Sequence, residues 1–168
     1  ANLLPRVPII KELVSLVLSV SCTYCIQMLE PVFKCSVYGI RFNGILLVKP
    51  VKMIKNNNKT PSLIMGIESS CDETAVAIVS DQKEIFSNII FTQLEEHKPY
   101  GGVVPEIAAR SHINHLNALV RQALAQAKVG FDDLSAIAVT SGPGLIGGVM
   151  VGLMTAKAIA YARNIPLI

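Results

Sequence analysis

Charged residues are scarce. They make up 16% of the 168 residues, too few for a coiled coil, while 51% hydrophobic residues are too many for a disordered chain. The four cysteines show no dense pairing pattern, which excludes a disulfide scaffold, and a net charge of +3 is too small to argue for a nucleic-acid partner. No segment reaches the roughly 20 apolar residues of a bilayer span. Leu13 to Met28 comes nearest, but it is short and interrupted by Ser15, Ser19, Ser21, Thr23 and Gln27. Tyr24 and Cys25 follow its apolar stretch without a small-residue cleavage site, which argues against an export signal. Cys22-x-x-Cys25 with Cys35 lacks the fourth ligand that a closed zinc site requires.

What is present is divided unevenly. A length of 168 residues fits one domain, or one domain with an appendage. Residues 1–62 carry eight basic residues against two acids, a net of +6, whereas 63–168 carry seven against ten, a net of −3. The swing falls at Asn56-Asn57-Asn58-Lys59-Thr60-Pro61-Ser62, a polar, helix-poor linker. Nothing before residue 53 holds a sustained hydrophobic period. The chain begins at Ala1, and Met53 and Met65 stand just before a strongly patterned region. The expectation is that the native protein starts at one of these methionines and that the first fifty-odd residues are extraneous or translated upstream sequence.

From Ser62 onward the pattern is regular. Leu63-Ile64-Met65-Gly66-Ile67 and Ala75-Val76-Ala77-Ile78-Val79 predict two buried strands joined by the polar turn Glu68 to Thr74. Ile85 to Thr92 predicts a third strand and thus a meander. Pro105-Glu106 opens a helix, since proline at the first helical position lacks only a donor that is orphaned there and glutamate suits the positive end of the dipole. Leu116, Leu119, Val120, Ala123, Leu124 and Ala127 continue it to about Gly130. Ala136 to Thr140 predicts a fourth strand, Ser141 to Gly144 a tight turn, and Gly147 to Arg163 a second long helix. Asn164 to Ile168 reads as the approach to a fifth strand. The order β-β-β-α-β-α is that of the first part of the α/β core of the actin, Hsp70 and sugar-kinase (ribonuclease H-like) superfamily.

Three groups of residues invite chemistry. Gly142-Pro143-Gly144-Leu145-Ile146-Gly147 matches G-x-G-x-x-G between a strand and a helix, but a dinucleotide site needs an acid about 20 residues on, and no Asp or Glu follows Asp133. Gly148 stands where a Walker loop needs lysine. Two readings stay open: glycines that let a phosphate approach a helix N-terminus, or a tight turn with close helix-to-sheet packing. Asp72 and Glu73, beside Ser70, Cys71 and Thr74, place adjacent carboxylates in the first turn, able to hold a hydrated metal or a water near phosphates, or to be solvated turn acids. His112-x-x-His115 puts two rings on one helix face, but a metal needs three or four ligands, and a pair of surface or half-buried histidines is the plainer account. Cys71 is a lone thiol with no histidine placed in sequence to activate it.

Taken in order and spacing, Gly66-Ile67-Glu68-Ser69-Ser70-Cys71-Asp72-Glu73-Thr74, then Tyr100-Gly101-Gly102-Val103-Val104-Pro105-Glu106-Ile107-Ala108-Ala109-Arg110, then Ser141 to Gly148 resemble the bacterial tRNA N6-adenosine threonylcarbamoyltransferase family, also called the O-sialoglycoprotein endopeptidase or glycoprotease family. The resemblance covers 63–168 and implies an incomplete N-terminal lobe of a two-lobed ATPase-superfamily fold, preceded by a non-family segment, 1–62. It implies an acyltransferase that moves the threonylcarbamoyl group of threonylcarbamoyl-AMP to N6 of adenosine 37 in tRNAs reading ANN codons. The adenine amine is a poor nucleophile, and a divalent metal, iron or zinc, is implied as Lewis acid. The family's H-x-x-x-H metal element would lie beyond Ile168, so no metal ligand is expected in this chain and His112 and His115 do not take that role.

The resemblance carries Asp72 and Glu73 over as catalytic residues, and Ser70, Cys71, Gly142 and Gly144 as substrate- or nucleotide-binding ones. Arg110 and the Tyr100 to Val104 loop are placed near tRNA. Implied partners are tRNA, a catalytically silent paralogue (TsaB-like) and an ATPase (TsaE-like), with no membrane and a cytoplasmic location. The fragment is expected to be inactive alone. A half-lobe without its last strand leaves an unpaired edge and an uncovered apolar face, so the isolated chain is expected to fold poorly. The competing expectation is a non-catalytic, dimerising half-lobe of the same superfamily, against which the Ser-Cys-Asp-Glu-Thr turn argues. A Rossmann oxidoreductase would require the missing acid.

Overall fold

The computed structural model describes residues 61–168. The expectations for the basic N-terminal segment, including Leu13 to Met28 and Cys22, Cys25 and Cys35, lie outside the described residues. Three strands, β1 (Leu63–Glu68), β2 (Glu73–Ser80) and β3 (Ile85–Thr92), form the expected meander. A short helix α1 (Leu94–His97) and a 3-10 turn (Lys98–Tyr100) lead to the long helix α2 (Pro105–Ala127). Strand β4 (Leu134–Val139) and helix α3 (Ile146–Arg163) complete the α/β order. The sheet runs β3-β2-β1-β4, antiparallel across β1/β2 and β2/β3 and parallel across β1/β4, where Ile67 faces Val139.

Beyond β4 the chain end begins to add a neighbour. Leu167 makes a parallel bridge with Ile137, whose N–H donates to the Pro166 carbonyl at 2.8 Å and whose carbonyl accepts from Ile168 N–H at 2.8 Å. The approach to a fifth strand therefore lies on the outer edge of β4, as the element order requires.

Strand β1 is central and buried on both faces, which is why its apolar residues run continuously instead of alternating. Met65, Ile67, Val76, Ile78 and Ile137 join Leu116, Leu119, Val120 and Ala123 of α2 and Ala156 and Ala160 of α3 in the main core. Each such large side chain, fully buried, contributes about 1.5–3 kcal/mol. Helix α2 packs on β2 and β3, α3 on β4 and β1, and the two helices pack on each other. The opposite sheet face is built from Ile64, Ala77, Val79, Ala136 and Ala138.

Element ends differ in instructive ways. Helix α2 stops at Lys128, not near Gly130: Lys128 takes the left-handed conformation at φ 56° and its N–H caps the Leu124 and Ala125 carbonyls. A turn sequence therefore need not place its glycine at the left-handed position. Strand β2 starts at Glu73, so Glu73 belongs to the strand and only Asp72 remains in the turn.

Gly144 of the glycine motif and Gly148 just after it are packing positions. A Cβ on Gly144 would lie 2.5 Å from the Ser70 carbonyl oxygen, and one on Gly148 2.4 Å from that of Ser69. The Ser69 hydroxyl enters the groove so formed, donating to the Gly148 carbonyl at 2.9 Å and accepting from Gly152 N–H at 3.1 Å. Because the obstacle is backbone, Gly148→Ala is expected to destabilise the fold by about 1–3 kcal/mol. Gly102→Ala, with open space around its Cβ, should stay within about 0.5 kcal/mol. Urea denaturation of the two variants checks this; equal midpoints would refute the packing role of Gly148.

Candidate functional site

The carboxyl ends of the parallel strands β1 and β4 lie side by side, and the turns that leave these two ends form the site. After β1 comes the turn Ser69 to Asp72; after β4 comes Thr140 to Leu145. The two turns touch. Leu145 N–H donates to the Ser70 carbonyl at 2.7 Å, and the absent side chain of Gly144 lets Ser70 approach. Gly142, at φ 139°, holds a conformation that favours glycine, and the Gly142-Pro143 peptide bond is cis.

Glu68, at the end of β1, braces both turns. Its carboxylate accepts from Ser70 N–H with one oxygen and from the Thr140 hydroxyl with the other. Neither Glu68 nor Thr140 stood out in the sequence as a site residue. The signal that could have found them is the parallel pairing of β1 with β4, which sets the two strand ends abreast.

The sequence-predicted residues are brought together unevenly. Ser70 is buried and engaged by its backbone, whereas Cys71 and Asp72 are half-buried. Asp72 lines an open depression of about 310 Å³ with Leu94, Glu95, His97, Lys98, Gly102 and Val103. Its carbonyl accepts from Gln93 N–H at 3.1 Å, which ties the turn to the start of α1. Glu73, paired with Thr92 across β2/β3, is not among the residues of that depression. Gly142, Pro143 and Gly144 are exposed and are not among the residues of that depression.

The histidines of α2 part company. His115 is half-buried, hydrogen-bonded within its own helix to Ser111 and stacked on Phe91 with ring centroids 3.8 Å apart. His112 is fully buried, which corrects the expectation of a surface or half-buried pair. Its Nε2 lies 3.1 Å from the Cys71 carbonyl, and its Nδ1 lies 2.7 Å from the Thr74 hydroxyl and 3.2 Å from Gln93 Nε2. A carbonyl only accepts, so Nε2 carries the proton and Nδ1 accepts. Burial lowers the His112 pKa from its ordinary 6.5, against the opposing pull of the Cys71 carbonyl and the Glu68 and Asp72 carboxylates. Among the described residues, no group of three or more His, Cys, Asp or Glu is arranged to hold a metal ion.

The comparisons with known proteins agree with these motifs. The family model described as tRNA N6-adenosine threonylcarbamoyltransferase matches residues 84–168. A protein of that name from Paramagnetospirillum magneticum is 60% identical over 106 residues, 63% of this chain and 30% of the relative. Another, from Bacillus licheniformis, is 51% identical over 112 residues, 67% of this chain and 33% of the relative. A solved structure, YeaZ from Pseudomonas aeruginosa, superposes with a TM-score of 0.49 at 22% identity, over 64% of this chain and 43% of that one. The α/β order, the mixed sheet and the paired turns at its carboxyl edge define an α/β domain with a four-stranded sheet. The chain belongs to the tRNA N6-adenosine threonylcarbamoyltransferase family, and it spans about a third of the length of the curated relatives it matches.

The neutral His112 makes stability depend on pH. Because its folded pKa lies below 6.5, the unfolded chain binds more protons as acid is added. Its contribution is complete above the unfolded value and is lost as pH falls from 6.5 towards the lowered folded value. The melting temperature should therefore fall over that interval more steeply for the wild type than for His112→Gln. Parallel curves for the two proteins would contradict a buried, neutral imidazole.

Proposed function

We propose that residues 63–168 form the incomplete N-terminal lobe of an enzyme that transfers the threonylcarbamoyl group of threonylcarbamoyl-AMP to N6 of adenosine 37 in tRNAs reading ANN codons, with 1–62 an extension outside the family. The observation that carries this reading is the contact of the two motif turns, Leu145 N–H on the Ser70 carbonyl at 2.7 Å, at the carboxyl ends of two parallel strands. Ligands of open α/β sheets bind outside such strand ends.

In this reading Ser70, Cys71, Gly142 and Gly144 shape the wall against which the acyl-adenylate lies, and Asp72 and Glu73 are its carboxylate edge. The N6 nitrogen bonds to the carbamoyl carbon, and the bond from that carbon to the phosphate oxygen breaks. AMP leaves with the electron pair, and the N6 proton passes to a carboxylate. Asp72, facing the open depression, is the better placed of the two. The partners are tRNA, a TsaB-like silent paralogue and a TsaE-like ATPase, and the setting is cytoplasmic. Among the described residues, no helix is long and apolar enough to cross a membrane.

A chimera tests the reading. Residues 63–168 replace the 106 matched residues of the Paramagnetospirillum magneticum relative, and threonylcarbamoyladenosine in tRNA is measured by mass spectrometry. Transfer is expected, and Asp72→Asn should reduce it by about 10²-fold. A folded chimera without transfer would favour the non-catalytic half-lobe; an unchanged Asp72→Asn rate would remove Asp72 from the chemistry.

A further inference from the structure

A line of buried polar side chains, none of them assigned to the transfer chemistry, runs beneath the open depression. Gln93 and His112 are fully buried and His97 nearly so. Val104 N–H donates to His97 Nδ1 at 3.3 Å, and His97 Nε2 lies 3.1 Å from Gln93 Oε1. Gln93 Nε2 reaches His112 Nδ1 at 3.2 Å and the Ala108 carbonyl at 3.4 Å, and His112 Nε2 reaches the Cys71 carbonyl at 3.1 Å. One end of the line touches the Ser69 to Asp72 turn; the other touches Val104, which caps α2 and closes the loop that begins at Lys98.

The polarity of every link is set by the two ends. Val104 N–H can only donate, so His97 Nδ1 is an acceptor and its proton sits on Nε2. That proton must point at an acceptor, which fixes the Gln93 oxygen towards His97 and its amide nitrogen towards His112 and Ala108. The Cys71 carbonyl can only accept, so the His112 proton also sits on Nε2 and Nδ1 receives Gln93, sharing its lone pair with the Thr74 hydroxyl. All bonds then run in one sense, from Val104 to Cys71. A hydrogen-bonded chain with one permitted orientation resists reversal at any single member, because a turned amide or imidazole would leave a buried group facing its like.

His112 is also where separate elements converge. Its ring touches Cys71 of the turn, Thr74 of β2 and Gln93 before α1. A Cβ on Gly148 of α3 would lie 3.2 Å from it. The ring thus lies against the bare backbone of Gly148, where a side chain would crowd it.

We propose that His112 is a positioning residue: through the relay Val104–His97–Gln93–His112–Cys71 it sets where the Ser69 to Asp72 turn stands relative to the Lys98 to Val104 loop, the two walls of the depression that Asp72 faces. The catalytic meaning of that placement rests on the transferase reading of the turn; the relay itself does not. Two substitutions divide it. His112→Gln can keep a donor for Cys71 at the Nε2 position but has no acceptor for Gln93. His112→Asn can keep an acceptor near the Nδ1 position but cannot reach Cys71. Gln93→Leu removes the middle of the line.

The test has two arms, both run in the full 168-residue chain and in the Paramagnetospirillum magneticum chimera, with transfer kinetics in the chimera alone. In the structural arm, nitrogen-15 spectra of labelled histidine should show His97 and His112 both as neutral Nε2–H tautomers at neutral pH. Hydrogen exchange of the 98–104 peptide should accelerate about tenfold or more in Gln93→Leu and His112→Gln, and by less than about threefold in His112→Asn. In the kinetic arm, His112→Asn should lower kcat about tenfold with little change in KM, and His112→Gln should chiefly raise KM for tRNA. A general loss of packing would move all variants alike and would produce no such division. An Nδ1–H tautomer at His112, or exchange at 98–104 unaltered in both Gln93→Leu and His112→Gln, overturns the relay. An intact relay with no division between kcat and KM overturns the positioning role. A wild-type chimera without transfer counts against the functional reading alone and leaves the structural arm to decide the relay.

Discussion

The structure depends on how closely the backbone after β1 approaches the start of α3. The Ser69 and Ser70 carbonyls occupy space that any side chain at Gly148 or Gly144 would fill, and the Ser69 hydroxyl completes the fit by bridging a carbonyl and an N–H one helical turn apart. Without this approach α3 would stand off the sheet, Leu145 N–H would lose the Ser70 carbonyl, and the two turns would no longer share a wall. Glycine here serves proximity more than flexibility. Within the G-x-G-x-x-G pattern these contacts tie Gly144 to close packing, while Gly142 has open space around it.

The same constraint accounts for the buried histidine. With α3 pressed against the turn and α2 pressed against β2, the space between them is filled by the His112 ring. An imidazole in that position is held neutral by burial and must satisfy both ring nitrogens, so it is bonded to Cys71 on one side and to Thr74 and Gln93 on the other. A structural demand, filling and satisfying a polar gap, thus fixes the turn that carries Asp72. The Glu68 carboxylate acts in the same way from the sheet side, joining the ends of β1 and β4 through Ser70 and Thr140.

Much of the architecture was legible because hydrophobic period and punctuation agreed. Ile85 to Thr92 and the Pro105 start of α2 coincide with the observed elements. The continuous apolar run of β1 announced a strand buried on both faces. Helix α1 was not legible, because four residues are too few to display a period. Its existence depends on Gln93, whose backbone N–H is tied to Asp72 and whose carbonyl accepts from Glu96 and His97. The left-handed residue after α2 proved to be Lys128 because the backbone bonds to Leu124 and Ala125 outweigh the modest steric penalty at a non-glycine position.

Local order and family are written in the sequence, since strand, turn and helix signals act over neighbouring residues and the three motifs stand in fixed order: residues 63–168 alone determined the meander, the two long helices and the grouping of Ser70, Cys71 and Asp72. Only the tertiary structure decided that Glu73 lies in a strand, that His112 is a buried clasp while His115 is a helix-side stacking partner, and that Glu68, Thr140, Gln93 and His97 belong to the surroundings of the turn. Those outcomes depend on contacts between residues far apart in the chain, 72 positions for Glu68 and Thr140, and no local pattern encodes which of two chemically equal histidines will meet a carbonyl and which will meet a ring.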